Sequence, residues 1–289
     1  MESQVLHKAL HAERYQELKH KIKRMQLLEQ VRVQAVPALA VPADGIVCQR
    51  CGNTGWITAV DKDGYDMAVA CPACYERRQV VRRLKHSGIS AKDYARYTLQ
   101  RFDAKRSEIS AKMKDLAVRY LDEHHPGDSG FGVFGSSGVG KTHICIAVCQ
   151  ELTRRYHEPH FYFSYRTEMP ELVKALKSYN DEYDKVLAKW KTCENLYIDD
   201  LFKLAGNVEN GHLVSVERQD LRVMFDIINA RYLNHKTTLF SSEYAVKDIT
   251  KIDGALGSRI YEMTAPYGLY VEGKNQRLVS GKQEKEQLR

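Results

Sequence analysis

Apolar positions along this chain recur with two different periods. Leu6, Leu10, Tyr15, Leu18, Ile22, Met25 and Leu28 fall at helical spacing within residues 2–33, which predicts one long helix or two short ones. Residues 35–45 carry Pro37, Pro42 and Gly45 among small side chains and read as a linker. Two strand-like runs, 56–60 and 65–70, flank Asp61-Lys62-Asp63-Gly64, a hairpin signal. A basic helical stretch occupies 76–85, a turn or helix start lies at 90–94, and an amphipathic helix is expected over 107–123. Beyond it, strands and helices alternate. Residues 131–134, 160–164, 195–200 and 237–243 read as strands, and 143–149, 168–179 and 220–233 as helices with one apolar face. Strand-like pieces follow at 269–272 and 277–279, and the charged, apolar-poor end from residue 281 is expected to fray. Such alternation predicts an α/β domain.

One stretch organises that domain. Gly135-Ser136-Ser137-Gly138-Val139-Gly140-Lys141-Thr142 fits the phosphate-loop pattern G-x-x-x-x-G-K-[ST] at every fixed position, between a predicted strand and a predicted helix. Its glycines let backbone N–H groups turn toward phosphate oxygens, and the helix N-terminus adds a favourable field. Lys141 is placed to contact the β- and γ-phosphates of ATP, and the Thr142 hydroxyl to ligate Mg²⁺. Downstream, the apolar strand 195–198 ends in Asp199-Asp200. A carboxylate at such a strand end holds Mg²⁺ directly or through water, which suits Asp199; Asp200 is placed to polarise the attacking water.

The chain has seven cysteines, and four form the pairs Cys48-x-x-Cys51 and Cys71-x-x-Cys74 around the predicted hairpin. That arrangement matches a zinc ribbon. Four thiolates close the coordination shell, so the site would be structural, and metal binding would supply the folding energy of a unit with almost no core. Composition adds bounds. Hydrophobic residues make up 43% and charged residues 28% of 289 positions, enough for a sizeable core under a solvated surface. No apolar run approaches the roughly 20 residues of a membrane span, and no apolar signal core opens the chain, which points to the cytoplasm. A net charge of +7 permits nucleic-acid contact without establishing it.

Taken together, residues 135–142, the strand 196–200, and the runs 225–232, 238–242 and 257–260 resemble the AAA+ helicase loaders of the DnaC/DnaI type, relatives of the IstB transposition ATPases. The resemblance covers residues 97–279 or so, and a zinc-binding segment ahead of the ATPase looks like the DnaI branch. It implies an AAA+ domain with a central parallel sheet over 97–280. Ahead of that domain it implies a helical segment with linker (1–45), a zinc ribbon (46–80) and a basic linker helix (81–96); a flexible tail (281–289) follows. Carried over by position, Asp200 falls where many AAA+ proteins have a catalytic Glu, and either Ser242 or Glu243 reads the γ-phosphate, Glu243 departing from the usual Asn. Arg259 matches the arginine finger that reaches a neighbouring subunit, Arg277 falls near the sensor-2 position, and residues 97–102 resemble the stretch that approaches adenine. Arg231 reads as a surface salt bridge or a subunit-boundary residue. The implied function is ATP-dependent placement of a DnaB-type hexameric replicative helicase on single-stranded DNA by a spiral or ring of loaders. The alternatives are an IstB-like transposition regulator and a nucleotide-gated adaptor with little hydrolysis.

Overall fold

The computed structural model describes residues 44–60, 64–86, 88–125, 127, 129–158, 160–178 and 182–276. The expected N-terminal helix, Arg277, the strand-like piece 277–279 and the tail lie outside the described residues. Two compact units divide the chain, residues 1–82 and 83–289.

In the first unit, β1 (Trp56–Val60) and β2 (Asp66–Ala70) form an antiparallel hairpin with Trp56 opposite Ala70 and Val60 opposite Asp66. β1 alternates exposed and buried positions, so Ile57 and Ala59 face a small core shared with Ile46, Val69 and the four paired cysteines. The helix Tyr75–His86 begins directly after Cys74. Its Arg78 is buried and pairs with Asp44, and Arg78 Nη2 donates to Ile46 O at 2.7 Å, which ties the incoming chain to the helix.

The second unit is built on a five-stranded, all-parallel sheet. Its strands are β3 (Gly132–Gly135), β4 (His160–Ser164), β5 (Asn195–Asp199), β8 (Thr238–Ser242) and β9 (Gly268–Val271), in spatial order β4-β5-β8-β3-β9. Strand order reverses at β3, so the loop leaving its C-terminal end lies at the topological switch point where open α/β sheets take ligands. Alternation along the strands sends side chains to two cores. Phe134, Phe163, Leu196, Ile198 and Phe240 face one, which the helices Tyr165–Lys177, Glu182–Thr192, Arg218–Leu233 and Gly254–Thr264 complete. Val133, Tyr197 and Leu239 face the other, against the helices Glu108–Glu123 and Lys141–Tyr156. Two further elements, β6 (Val208–Glu209) and β7 (His212–Leu213), make a short hairpin after β5.

Three of these elements were not foreseen. The helix Glu182–Thr192 turns Tyr183, Val186, Leu187 and Trp190 to the core, a helical spacing passed over between its neighbours. The helix Val246–Ile252 is two turns long, and the β6–β7 hairpin pairs two residues with two. Arg231 also departs from expectation: it is fully buried rather than a surface partner. Its guanidinium donates to the carbonyls of Trp190 (3.0 Å), Cys193 (2.8 Å), Glu194 (3.1 Å) and Thr237 (2.6 Å) and to Thr238 Oγ1 (2.8 Å). Those acceptors lie where the chain enters β5 and β8, so one planar cation satisfies backbone groups that sheet pairing leaves over. Burial pulls its pKa down to about 10. Replacing Arg231 with Met would strand these carbonyls in a dry interior. Chemical denaturation of R231M is expected to show a loss of about 3 kcal/mol or more, with R231K only partly restoring it, because an ammonium cannot span the same acceptors.

Candidate functional site

β3 runs into the phosphate loop through Gly135, whose φ of +114° and approach to the β9 backbone exclude any side chain; an added Cβ would lie 2.0 Å from Val271 O. Gly140, at φ +108°, caps the helix Lys141–Tyr156. Ser136 N is committed to Val271 O at 2.9 Å, and the turn beyond it leads N–H groups to a helix N-terminus, where they can ring an anion. Lys141 lies within the ring. Its ammonium donates to Gly135 O and Ser136 O, both at 2.8 Å. Burial pushes its pKa down, against the opposing pull of Glu243 and Asp200.

Asp199 is the best-connected group of the site. Four hydroxyls donate to its carboxylate: Thr142 at 3.0 Å and Ser241 at 2.5 Å and Tyr197 at 2.6 Å on Oδ1, and Tyr162 at 2.6 Å on Oδ2. They come from the loop helix, β8, β5 and β4. Burial holds the phenols of Tyr197 and Tyr162 neutral by raising their pKa values, and the nearby Asp199 charge adds to the effect. Thr142 Oγ1 and Asp199 Oδ1 thus offer two adjacent hard oxygens, a donor set that fits Mg²⁺ beside a phosphate.

Directly after Asp199 the chain takes an unusual path. Asp200, Phe202 and Leu204 all have φ between 55° and 63°. Left-handed backbone at three non-glycine residues in so short a run is costly and persists only where the surroundings impose it. Here Leu201 and Phe202 are fully buried, Leu201 N donates to Ser241 O at 2.9 Å, and Asp200 N donates to Ser241 Oγ at 3.1 Å. The carboxylate of Asp200 is thereby turned outward to Lys203, at 3.0 Å, and Lys203 also pairs with Glu243 at 2.9 Å. Glu243 follows the end of β8, whose Ser242 pairs with Phe134, and so lies beside the start of the loop. Burial alone would raise its pKa, but the bond from Lys203, the Ser137 side chain and the charges of Lys203 and Lys141 hold it low.

The two serines of β8 divide the work. Ser241 faces Asp199 and the loop helix, whereas Ser242 points to the opposite side, where it donates to Leu201 O at 2.8 Å and accepts from Tyr244 N at 3.1 Å. The structure therefore leaves Ser242 away from the phosphate loop and brings Ser241 and Glu243 toward it. Neither Ser241 nor Lys203 was foreseen; the choice between the two serines follows from the register of β8 against β5, which the sequence does not carry.

Arg259 sits on the helix Gly254–Thr264 over the rings of Phe225 (5.3 Å) and Tyr232 (5.5 Å), and Nη1 donates to Ala255 O at 2.8 Å. Its Nε is buried without an acceptor among the described residues. The rings of Tyr97 and Phe102 pack on His143 at 5.1 and 5.0 Å rather than lining an open cleft. A cavity of about 310 Å³ opens beside the loop instead, lined by Arg106, Ser107, Ile109, Val139, Gly273 and Lys274. Residues 272–276 run alongside the loop: Gly273 N donates to Ser136 Oγ and Gln276 N to Gly138 O, both at 3.1 Å.

In the first unit the sulfurs of Cys48, Cys51, Cys71 and Cys74 all lie within 4.8 Å of one another and are buried. The Cys48–Cys71 and Cys51–Cys74 separations are 3.9 and 3.5 Å, against the edge of about 3.8 Å that a tetrahedral zinc–thiolate centre requires. Gly55 N donates to Cys51 Sγ at 3.3 Å and Arg78 Nε to Cys74 Sγ at 3.4 Å, the supporting bonds that metal-bound thiolates attract. The donor set fits zinc.

A phosphate loop at the switch point of a parallel sheet, with a carboxylate at the end of the strand two places over, defines a P-loop nucleoside triphosphatase of the AAA+ type. Comparison with known proteins agrees. The bacterial DnaA ATPase domain family matches residues 96–265, and the chain belongs to that family of AAA+ ATPases. The phage-like element PBSX protein XkdC of Bacillus subtilis is 31% identical over 257 residues, which cover 86% of this chain and 92% of XkdC. Among solved structures, the DnaC helicase loader has the same fold, with a TM-score of 0.52 at 20% identity over 63% of this chain and all of the loader's. The replication initiator DnaA bound to AMPPCP and single-stranded DNA gives 0.50 at 21% identity, over 68% of this chain and 56% of DnaA's. The resemblance to DnaC/DnaI-type loaders read from the motifs is thus matched by the fold. Among the described residues, no helix is long and apolar enough to cross a membrane.

Two outcomes are expected. Ser241→Ala, which strips donors and acceptors from Asp199 and Asp200, should weaken Mg²⁺–nucleotide binding about tenfold by calorimetry, whereas Ser242→Ala should change it about twofold or less. Elemental analysis should find one zinc per chain, and its removal by a strong chelator should unfold the hairpin around Trp56 while leaving the melting of residues 83–289 in place.

Proposed function

We propose that this protein is an ATP-dependent loader that grips a DnaB-type hexameric replicative helicase and places it on single-stranded DNA. The observation that carries the reading is the division of the catalytic parts. One chain supplies the phosphate loop, the Asp199 and Thr142 oxygens and the Asp200 carboxylate, while Arg259 is stacked on Phe225 and Tyr232 with an unused Nε. A cation held that way serves a neighbouring copy, so ATP would be bound by one subunit and completed by the next. The DnaC-like fold and the XkdC relationship support the loader class, and the cysteine-rich unit supplies a separate module for the helicase.

In this mechanism Lys141 would exchange its loop carbonyls for phosphate oxygens, and Thr142 and Asp199 would hold Mg²⁺, which would supply positive charge against the phosphates. Asp200 orients the attacking water. Arg259 of the adjoining copy offsets the charge that develops on the transferred phosphoryl group. A spiral or ring of copies is then the active form, and DNA contact through basic residues would weaken with salt. One feature favours a second reading, the nucleotide-gated adaptor: Asp200 is already paired with Lys203, which restrains it from acting on water.

Mixing the full chain with a hexameric replicative helicase, with and without ATP and Mg²⁺, tests the proposal. Co-migration on size exclusion that needs residues 1–82, and ATP turnover that rises with protein concentration and falls at least about tenfold in Arg259→Ala, are expected. ATP binding without helicase capture would sink the loader reading. Turnover independent of both concentration and Arg259 would remove the shared-site mechanism.

A further inference from the structure

A loop shaped to surround phosphate has no evident need of a carboxylate, yet Glu243 follows directly on Ser242, which pairs with Phe134 at the entry to the loop, and so stands beside the loop's first residue. Glu243 therefore stands as an internal anion in an anion site. It does not stand alone, because the Lys203 ammonium is shared between Glu243 at 2.9 Å and Asp200 at 3.0 Å. Two lysines and two carboxylates make up a charge cluster at the mouth of the loop, with Lys141 influenced by all three of the others.

Lys203 differs from Lys141 in what it is attached to. Lys141 opens a rigid helix and is mostly buried, reaching the loop carbonyls. Lys203 sits in the left-handed run 200–204, its side chain 24% exposed on a flexible four-carbon stem. The run is anchored from below by buried Leu201 and Phe202, so the backbone stays while the ammonium is free to change partners. A terminal phosphate carries more negative charge than a carboxylate and more acceptor oxygens, and it would arrive among the same donors that Glu243 now uses. A nucleoside diphosphate brings no such group to that place.

We propose that Lys203 is a sensor of the third phosphate, exchanging its bonds to Glu243 and Asp200 for the terminal phosphate of a nucleoside triphosphate. The proposal rests on the nucleotide-site reading above and deepens it. Glu243 keeps the ammonium positioned when the site is empty or holds a diphosphate, and Asp200 is released to act on water only when a triphosphate has taken Lys203 away. No bond is made or broken in the exchange; ion-pair partners alone change. Asp200 is thus both restrained and made available by one side chain, which reconciles its salt bridge with a part in hydrolysis.

Calorimetry on the full chain tests this, with a non-hydrolysable ATP analogue and ADP, each with Mg²⁺. Lys203→Ala should weaken the triphosphate about tenfold or more and ADP about twofold or less, and Lys203→Arg should retain most of the difference. Glu243→Gln should tighten the triphosphate several-fold relative to ADP, because the lysine then has one competitor fewer. Glu243→Gln keeps the fold's contacts nearly isosteric, so it reports even if Lys203→Ala melts early. An unchanged triphosphate-to-diphosphate ratio in Lys203→Ala, or in Glu243→Gln, would overturn the proposal. Lys141→Ala is the control for the underlying reading: a wild-type chain that binds neither nucleotide overturns that reading and this one together, whereas wild-type binding lost in Lys141→Ala with ratios unmoved by Lys203 overturns this one alone.

Discussion

Much of the ATPase unit depends on a single buried carboxylate. Asp199 is almost sealed from solvent, and an ionised carboxylate in such a place is tolerable only if it is fully hydrogen-bonded. Its four hydroxyl donors come from three neighbouring strands and the loop helix. Satisfying that charge therefore fixes the relative height of β4, β5 and β8 and the seat of the phosphate-loop helix. The same network sets the Thr142 hydroxyl beside the carboxylate, two hard oxygens of the kind that suit a hard metal ion.

The polar network is one-sided, and that follows from the sheet. Strand alternation gives Tyr197, Asp199, Leu239 and Ser241 to one face and Ile198, Phe240 and Ser242 to the other. The first face receives the loop helix and hence nucleotide chemistry. The second receives the helices that carry Arg231 and Arg259, and the larger of the two apolar cores. Arg231 shows how far buried cations here are used to satisfy backbone: it bonds four carbonyls, a hydroxyl and the Cys193 sulfur, and no carboxylate among the described residues. Arg259, on a neighbouring helix, has one carbonyl, Ala255 O, and two aromatic rings around it.

The cysteine unit solves a different problem. A hairpin and one helical segment bury too little apolar surface to hold themselves together. Four thiolates placed to hold one ion, with Arg78 and Gly55 donating to the sulfurs, would replace the missing core. Trp56 and Val60 are left outward on β1, exposed apolar side chains on the face opposite Ile57 and Ala59.

What the sequence alone determined were the features whose chemistry is local. The phosphate loop needs its glycines at fixed offsets, the cysteine pairs need two-residue spacing to face one ion, and a core strand ending in Asp-Asp announces itself, so all were legible from neighbouring residues. The sheet's strands were legible too, because buried parallel strands are continuous apolar runs. Tertiary structure alone decided the rest. Which serine of Ser241-Ser242 meets Asp199 depends on the register of β8 against β5, a one-residue matter that local pattern cannot resolve. The partners of Lys203 lie on two different strand ends, and those of Arg231 on two segments far apart in the chain. A charged side chain looks like a solvated one in sequence, and only packing reveals which carbonyls or carboxylates have been brought around it.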